Sequence, residues 1–199
     1  MKIILASASP RRAEILRNAG IPFEICATQV DEEPLPGEPA RAMVARLAEA
    51  KARATAAQLG KNVEEQIIAG ADTTVELDEE ILGKPRGADH AREMLEMLSG
   101  RTHHVLTGIF LLRVPDLQTR AAIESTAVTF ATLSREEIDA YVLTGEPSGK
   151  AGGYAVQGIA GRFIPRILGC YFNVVGLPLA RTCAMLHELG WPTEMRKPK

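Results

Sequence analysis

The amino-acid sequence predicts a single α/β domain in which apolar strands alternate with amphipathic helices. Residues 2–6 form a short apolar run that passes directly into a segment with helical spacing. Residues 66–71 form a second apolar run, of the length of a central strand. Residues 102–114 and 121–133 are long, alternating and rich in β-branched side chains, as in an antiparallel hairpin. With 199 residues and 46% hydrophobic content, the chain suits one domain over residues 1–199, or two small lobes that share a core.

The turn after the first strand carries the features of an anion site. Ser9 is a good N-cap for the following helix, and Pro10 suits the first helical position because it has no N–H to lose. The unpaired N–H groups at the helix start and the helix dipole favour negative charge there. Ser7, Arg11 and Arg12 add a hydroxyl and two guanidinium groups, whose planar forks match phosphate oxygens. We therefore expect a phosphate-binding turn, although turns of this kind also occur with arginines that only face water.

The next two elements introduce a carboxylate and a lysine. The first helix is expected to end at Gly20, and residues 22–26 form a candidate second strand. The acidic loop around Glu32 is the first supplier of a carboxylate, although such loops are usually only solvated. From residue 40 to residue 59 the apolar side chains recur with helical spacing. Lys51 lies on that apolar stripe, so it either snorkels to the edge or projects its ammonium into a site.

The second apolar run ends in a carboxylate. It delivers Asp72 at its end, and open α/β sheets place their chemistry at the ends of buried strands. A capping aspartate at a turn is the alternative interpretation. Residues 75–82 then have the pattern of a hairpin that leads to Lys84, and residues 88–98 are predicted to be helical.

The last third of the chain holds a second cluster of unusual residues. A capping box at its start predicts a helix over residues 134–143. The segment 148–154 is rich in glycine and carries Lys150, but it lacks the spacing of a P-loop. Gln157 follows, and an amide that both donates and accepts is suited to reading a base edge, although a glutamine here can also be structural. Residues 179–189 are predicted to form the last helix.

Composition excludes several classes of function. The formal net charge is −2 and the isoelectric point about 6.1, so no general positive field recruits nucleic acid or an anionic membrane. Apolar runs such as 105–114 are too short to span a bilayer, and the first residues lack the pattern of a secretory signal. Cys26, Cys170 and Cys183 have no metal-binding spacing, which fits a reducing cytoplasm. The basic tail, residues 196–199, is expected to fray.

The histidines are predicted to be structural. None has the spacing of a metal ligand, and the neighbours His103 and His104 should face opposite sides of their strand. The serines of the first turn have no partner histidine with a local signature, so a Ser–His–Asp mechanism is not expected.

Most of the unusual polar residues are predicted at strand ends or in loops that face one site. The set comprises two serines, five cations and two carboxylates: Ser7, Ser9, Arg11, Arg12, Glu32, Lys51, Asp72, Lys84 and Lys150. Cations neutralise phosphate oxygens, and carboxylate oxygens are ligands that Mg²⁺ or Mn²⁺ prefers. The set is therefore typical of a polyphosphate site with a divalent metal, in which a remaining carboxylate activates water.

Six motifs resemble those of the Maf family of nucleotide pyrophosphatases. They occupy residues 5–12, 30–32, 49–53, 71–73, 83–85 and 150–158. Each motif alone is weak, but six in the family's order and spacing, from about residue 3 to residue 190, are very specific. The resemblance implies a mixed central sheet flanked by helices, with two lobes around a deep cleft, as in the Maf and ITPase-like folds. It also implies hydrolysis of a nucleoside triphosphate between its α and β phosphates.

The same resemblance implies roles for individual residues. Asp72 matches the family's catalytic base and, with Glu32, the carboxylates associated with Mg²⁺ or Mn²⁺. The positions that match phosphate and site contacts are Ser7, Arg12, Lys51 and Lys84. The first turn and the glycine-rich segment add Ser9, Arg11 and Lys150 to the expected substrate-binding set. Arg12, Thr73 and Gln157 match positions linked to substrate choice in the branch of the family that hydrolyses dTTP and UTP.

Two other functions stay open at this point. One is a pyrophosphatase for modified or non-canonical nucleotides such as 7-methyl-GTP. The other is a nucleotide-sensing regulator of cell division that requires no turnover. The sequence also leaves open whether the chain works as a monomer or as a homodimer.

The chain departs from the family pattern in two places. Gly149 stands where many members carry an aspartate before the lysine, so the rate or the metal preference could differ here. Cys170 and Phe172 stand where small polar residues are frequent, and we expect only a change in packing.

Overall fold

A seven-stranded mixed sheet forms the centre of the computed structural model, which describes residues 1–60 and 64–192. The strands are β1 Lys2–Ala6, β2 Glu24–Ile25, β3 Gln66–Leu77, β4 Glu80–Leu82, β5 Thr102–Val114, β6 Thr119–Thr129 and β7 Arg166–Leu168. The helices are α1 Pro10–Asn18, α2 Ala40–Leu59, α3 Ala88–Leu98, α4 Arg135–Leu143, α5 Tyr171–Val175 and α6 Leu179–Glu188. Short 3₁₀ turns lie at Ala151–Gly153 and Ile159–Phe163. The expected α/β fold with a mixed central sheet and flanking helices is confirmed, whereas the two lobes, the cleft and the single domain stay predictions.

The order of the strands leaves a gap beside β3. The sheet runs β2-β1-β3-β5-β6-β7, with β1 parallel to β2 and β3 and the remaining pairs antiparallel. Strand β5 pairs with β3 along residues 66–76, so β1 and β4 share the other edge of β3. On that edge β1 pairs with residues 66–70 and β4 with residues 75–77. Within the described residues, no strand pairs with residues 71–74 on this side, and the sheet is open there.

Helices cover both faces of the sheet, as strand alternation requires. On one face Ile67 packs in a cluster with Met185 of α6, and α1 packs against the neighbouring part of this face. On the other face Ile68 packs in a cluster with Ala48 of α2. Successive side chains of β3 therefore point to opposite faces. One face is covered by α1 and α6, and the other by α2.

Helix α2 rests directly on the sheet because two strand residues have no side chain. A Cβ atom added at Gly70 of β3 would collide with the carbonyl oxygen of Ala48, and one at Gly108 of β5 with that of Val44. Close approach of two backbones is a common structural use of glycine in a strand. The two glycines bring the helix that carries Lys51 against the strand that carries Asp72.

The helices were predicted more accurately than the ends of the strands. Helices 40–59 and 88–98 are confirmed residue for residue, and the predicted capping box is present at the start of α4. The prediction that a strand ends before Asp72 was wrong, because β3 continues to Leu77 by pairing with β4 and β5. The second hairpin strand covers Thr119–Thr129 instead of residues 121–133.

Smaller corrections concern the segments around these elements. The second strand is only two residues long, and neither β7 nor α5 was predicted. Ser9 is the N-cap of α1 by position, but its side chain makes no capping hydrogen bond. The expected fraying of the tail falls on residues 196–199, outside the described residues. None of the helices in the described parts of the chain is long and apolar enough to cross a membrane.

Candidate active site

A pocket of about 380 Å³ opens at the gap beside β3. It is lined from the β1–α1 turn, the loop before α2, α2 itself, β3, the segment after β4 and the glycine-rich segment after α4. All the side chains predicted for the site line it: Ser7, Ser9, Arg11, Arg12, Glu32, Lys51, Asp72, Thr73, Lys84, Lys150 and Gln157. The structure therefore brings the complete predicted set together, although these residues come from most of the length of the chain.

Lys51 connects the two carboxylates of the pocket. Its Nζ donates to Oδ1 of Asp72 at 2.6 Å and lies 2.7 Å from Oε1 of Glu32. Lys51 and Asp72 are each only 8% exposed, so the lysine is buried with a partner and does not snorkel to the surface. The position follows from the fold, because Asp72 lies on the face of β3 that packs against α2.

Glu32 is held by two lysines. Its second carboxylate oxygen accepts a hydrogen bond of 2.9 Å from Nζ of Lys84, while Lys51 contacts the first. Partial burial by itself raises the pKa of Glu32, but the hydrogen bonds and positive charges of the two lysines outweigh it and lower the pKa to about 2. Glu32 is therefore ionised at neutral pH.

Arg12 ties three segments together beneath the pocket. Its Nε donates to the carbonyl oxygen of Gly176 at 2.8 Å, Nη1 to the hydroxyl of Ser7 at 2.9 Å and Nη2 to the hydroxyl of Thr73 at 2.9 Å. Burial lowers the pKa of Arg12, and the nearby charge of Asp72 opposes this shift. A guanidinium has five N–H donors, so these three bonds orient Arg12 and leave two N–H groups for other acceptors.

The first turn presents Arg11 more openly than Arg12. Arg11 lines the pocket and is half-buried, and this burial lowers its pKa. The hydroxyl of Ser7 accepts from the backbone N–H of Ser9 at 3.3 Å as well as from Arg12. The helix start thus directs its two arginines differently, one into the protein and one along the pocket wall.

Thr73 faces the opposite side of β3 from Asp72. Its Oγ1 lies 2.9 Å from Oγ1 of Thr107 on β5, which in turn donates to the carbonyl oxygen of Asn173 at 3.3 Å. Sequence reasoning did not identify Thr107, Asn173 or Gly176 as supports of the site. A threonine in a β-rich stretch is ordinary, so the pattern of Thr107 carries no signal that could have distinguished it.

The glycine-rich segment supplies Lys150 and Gln157. Lys150 donates from Nζ to the carbonyl oxygens of Glu146 and Ser148, and burial lowers its pKa. The backbone N–H of Gly152 donates to the carbonyl oxygen of Gly83 at 3.0 Å, next to Lys84 in the chain. This bond joins the glycine-rich segment to the segment that carries Lys84.

Two carboxylates of the pocket supply oxygens of the kind that divalent cations prefer. Glu32 and Asp72 are the acidic side chains that line the pocket, and each directs one oxygen at the ammonium of Lys51, at 2.7 and 2.6 Å. Residues 1–60 and 64–192 contain no group of three or more histidine, cysteine or acidic side chains suited to hold a metal alone. Magnesium commonly binds through one or two carboxylates, with substrate phosphates and water completing its shell. The donor set suits that arrangement.

Comparison with known proteins identifies the family. The family model described as Maf-like protein matches residues 2–189. The chain belongs to the Maf family. This assignment agrees with the six motifs, all of which fall inside the matched range.

Curated relatives of this Maf family member cover nearly its whole length. A protein of Anaeromyxobacter sp. (strain Fw109-5), named dTTP/UTP pyrophosphatase, is 48% identical over 96% of this chain and 91% of its own. A protein of Symbiobacterium thermophilum with the same name is 49% identical over 96% of this chain and 95% of its own. Among solved structures, the Staphylococcus aureus Ham1 protein has a TM-score of 0.45 and 16% identity, over 66% of this chain and 72% of that chain. A resemblance that remote carries no argument about function.

Proposed function

We propose that this Maf family member hydrolyses dTTP and UTP to the nucleoside monophosphate and pyrophosphate. The observation that carries the reaction is the junction of Lys51 with the carboxylates of Asp72 and Glu32, in a pocket lined by further cations. The choice of substrate is supported by relatives named dTTP/UTP pyrophosphatase, which are 48–49% identical over nearly the full chain. A phosphate tail supplies the negative charge that this pocket is suited to receive.

Different side chains of the pocket have different roles in the proposed reaction. Asp72 accepts a proton from the water that attacks the α-phosphorus, the bond from this phosphorus to the bridging oxygen breaks, and pyrophosphate leaves. Cations that line the pocket neutralise the phosphate oxygens and the charge that develops on the leaving group: Arg11, Arg12, Lys51 and Lys84. Glu32 and Asp72 would hold Mg²⁺ or Mn²⁺, which supplies further neutralisation of phosphate charge when bound.

In this proposal three of the lining residues select the base. Arg12, Thr73 and Gln157 line the pocket, and Arg12 and Thr73 both donate to the carbonyl oxygen of Gly176. Lys150 extends the set of cations from the glycine-rich segment, and Ser7 and Ser9 contribute hydroxyls from the first turn. We assign the activity to the cytoplasm, because the three cysteines are free thiols and a reducing compartment keeps them so.

Product analysis on a panel of triphosphates tests the proposal. Purified protein is incubated with dTTP, UTP, CTP, dGTP and 7-methyl-GTP in the presence of Mg²⁺ or Mn²⁺, and the products are separated by ion-exchange chromatography. We expect monophosphate and pyrophosphate from dTTP and UTP, with loss of turnover on addition of a chelator. Preference for 7-methyl-GTP would replace the substrate assignment, and tight binding with no pyrophosphate from any triphosphate would indicate a sensor.

Replacement of Asp72 tests its role directly. Asp72→Asn keeps the size of the side chain and its contact with Lys51 but removes the proton acceptor, so turnover should fall roughly 10²–10⁴-fold. Pyrophosphate release is measured at saturating dTTP, with thermal unfolding as the check on folding. Glu96→Gln, on the exposed face of α3, serves as the matched control and should keep wild-type turnover. Near-normal turnover of Asp72→Asn would remove Asp72 from the role of base.

A further inference from the structure

The segment between α4 and β7 is organised around the carboxylate of Glu146. Oε2 accepts a hydrogen bond of 2.9 Å from the backbone N–H of Ile159, and Oε1 one of 3.2 Å from that of Ala160. Oε1 also accepts from the hydroxyl of Tyr141 at 2.9 Å. One carboxylate therefore satisfies three donors, two of which lie in the turn that directly follows Gln157.

The backbone of the same residue holds the lysine of the segment. The carbonyl oxygen of Glu146 accepts from Nζ of Lys150, and its N–H donates to the hydroxyl of Thr144 at 3.1 Å. A Cβ atom added at Gly158 would collide with the Glu146 carboxylate, so this carboxylate lies against the backbone next to Gln157. Glu146 thus contacts the segment at two points: its carbonyl oxygen binds Lys150, and its carboxylate lies against the backbone beside Gln157.

Tyr141, which donates a hydrogen bond to the Glu146 carboxylate, belongs to the hydrophobic core. Tyr141 of α4 is 2% exposed, and its ring packs edge-on against Phe163 with centroids 5.4 Å apart. Burial by itself raises the pKa of Glu146, but the N–H donors of Ile159 and Ala160 and the Tyr141 hydroxyl lower it overall. The carboxylate is therefore charged at neutral pH, and hydrogen bonds to a charged acceptor are stronger than those between neutral groups.

We infer that Glu146 is a positioning residue, which sets the orientation of Gln157 and the distance of Lys150 from the substrate without touching the substrate itself. The inference rests on the proposed function, because it assigns Gln157 to the base and Lys150 to the phosphates. Glu146 does not line the pocket, whereas Lys150 and Gln157 do. Its effect on the reaction must therefore pass through the segment that it holds.

Kinetics of Glu146→Ala and Tyr141→Phe test the inference on the full chain. We measure kcat/KM for dTTP and for dGTP, together with thermal unfolding. Loss of the carboxylate should lower the ratio of the two kcat/KM values about tenfold, since a misplaced amide no longer distinguishes the bases. Tyr141→Phe removes one of the three donors and should give a smaller change in the same direction. Glu146→Gln keeps one acceptor oxygen and should lie between wild type and Glu146→Ala.

Hydrogen exchange gives a readout that does not depend on turnover. The amides of Ile159 and Ala160 should lose protection in Glu146→Ala and keep it in the control Glu96→Gln. A selectivity ratio equal to wild type in folded Glu146→Ala, or unchanged protection of these amides, would overturn the inference. Absence of pyrophosphate release by the wild type would instead overturn the proposed function, and the exchange data would still decide whether Glu146 holds the segment.

Discussion

Lys51 is the residue that contacts both carboxylates of the candidate site. Its ammonium is buried between the carboxylates of Asp72 and Glu32. In the helix taken by itself, Lys51 is a charged residue that interrupts an apolar stripe. Removing one partner of a buried ion pair is costly, because the other charge is left without compensation. The effect of a substitution at Lys51 therefore depends on what remains at Asp72.

A double-mutant cycle tests this dependence. Lys51→Met should lower the free energy of unfolding by roughly 2–4 kcal/mol, measured by urea denaturation at neutral pH, because Asp72 loses its buried partner. The double variant Lys51→Met with Asp72→Asn should recover a large part of that loss. If the losses of the two single variants simply add, the two side chains do not stabilise each other.

His103 is structural, as predicted, and it makes stability depend on pH. It is fully buried, with Nε2 2.7 Å from the hydroxyl of Tyr154, whereas its neighbour His104 is exposed. Burial, together with the charge of His104, lowers the pKa of His103 from 6.5 to about 4. Between these values the unfolded chain binds a proton that the folded chain does not, so folding is weakened as the pH falls from about 6.5 toward 4.

The pH dependence of unfolding measures this contribution. Between pH 7.5 and pH 5, His103 should cost the wild type about 2 kcal/mol of stability. His103→Gln keeps a hydrogen-bonding group for Tyr154 but does not titrate, so its loss over the same range should be smaller by that amount. Equal losses in wild type and variant would show that other groups set the pH dependence.

The position of helix α2 on the sheet depends on residues outside the helix. The apolar spacing of residues 40–59 predicted the helix and the inward direction of Lys51, because both follow from a period of 3.6 residues. The close approach of α2 to the sheet was not predicted. It depends on Gly70 and Gly108 in two strands that become neighbours only when the sheet forms.

Adding a methyl group at one of these glycines tests the backbone contact between α2 and the sheet. Gly108→Ala should push α2 off the sheet, lower the free energy of unfolding by roughly 1–3 kcal/mol and reduce turnover, since Lys51 moves away from Asp72. Gly83→Ala is the matched control for stability, because a Cβ atom there meets nothing within 4 Å. An equal change in stability for both variants would mean that the close approach of α2 is not what Gly108 provides.

At the scale of the whole molecule, the contacts join distant parts of the chain. Arg12 and Gly176, which are 164 residues apart, share a hydrogen bond, and α6 packs in a cluster with residues of β1, β3 and β5. The single tryptophan, Trp191, packs against that same cluster. These contacts favour one cooperative unit, as the prediction of a single domain requires.

Two probes of unfolding test that prediction. Fluorescence of Trp191 reports on the cluster around β1, β3 and α6, whereas far-UV circular dichroism reports on all helices and strands. In urea both should give one transition with the same midpoint. Two separated transitions would show that the chain folds as two units.

The sequence by itself determined the two long helices, the family and a set of polar residues that the fold brings to one pocket. Helical periodicity, caps and residue type are local properties, and the six motifs keep their spacing along the chain, so all of these are readable before folding. Only the tertiary structure decided that β3 continues past Asp72, that two glycines seat α2 and that Glu146 and Gly176 hold the pocket wall. Each of these depends on which strands and loops become neighbours, and that pairing is a property of the whole chain that no local pattern carries.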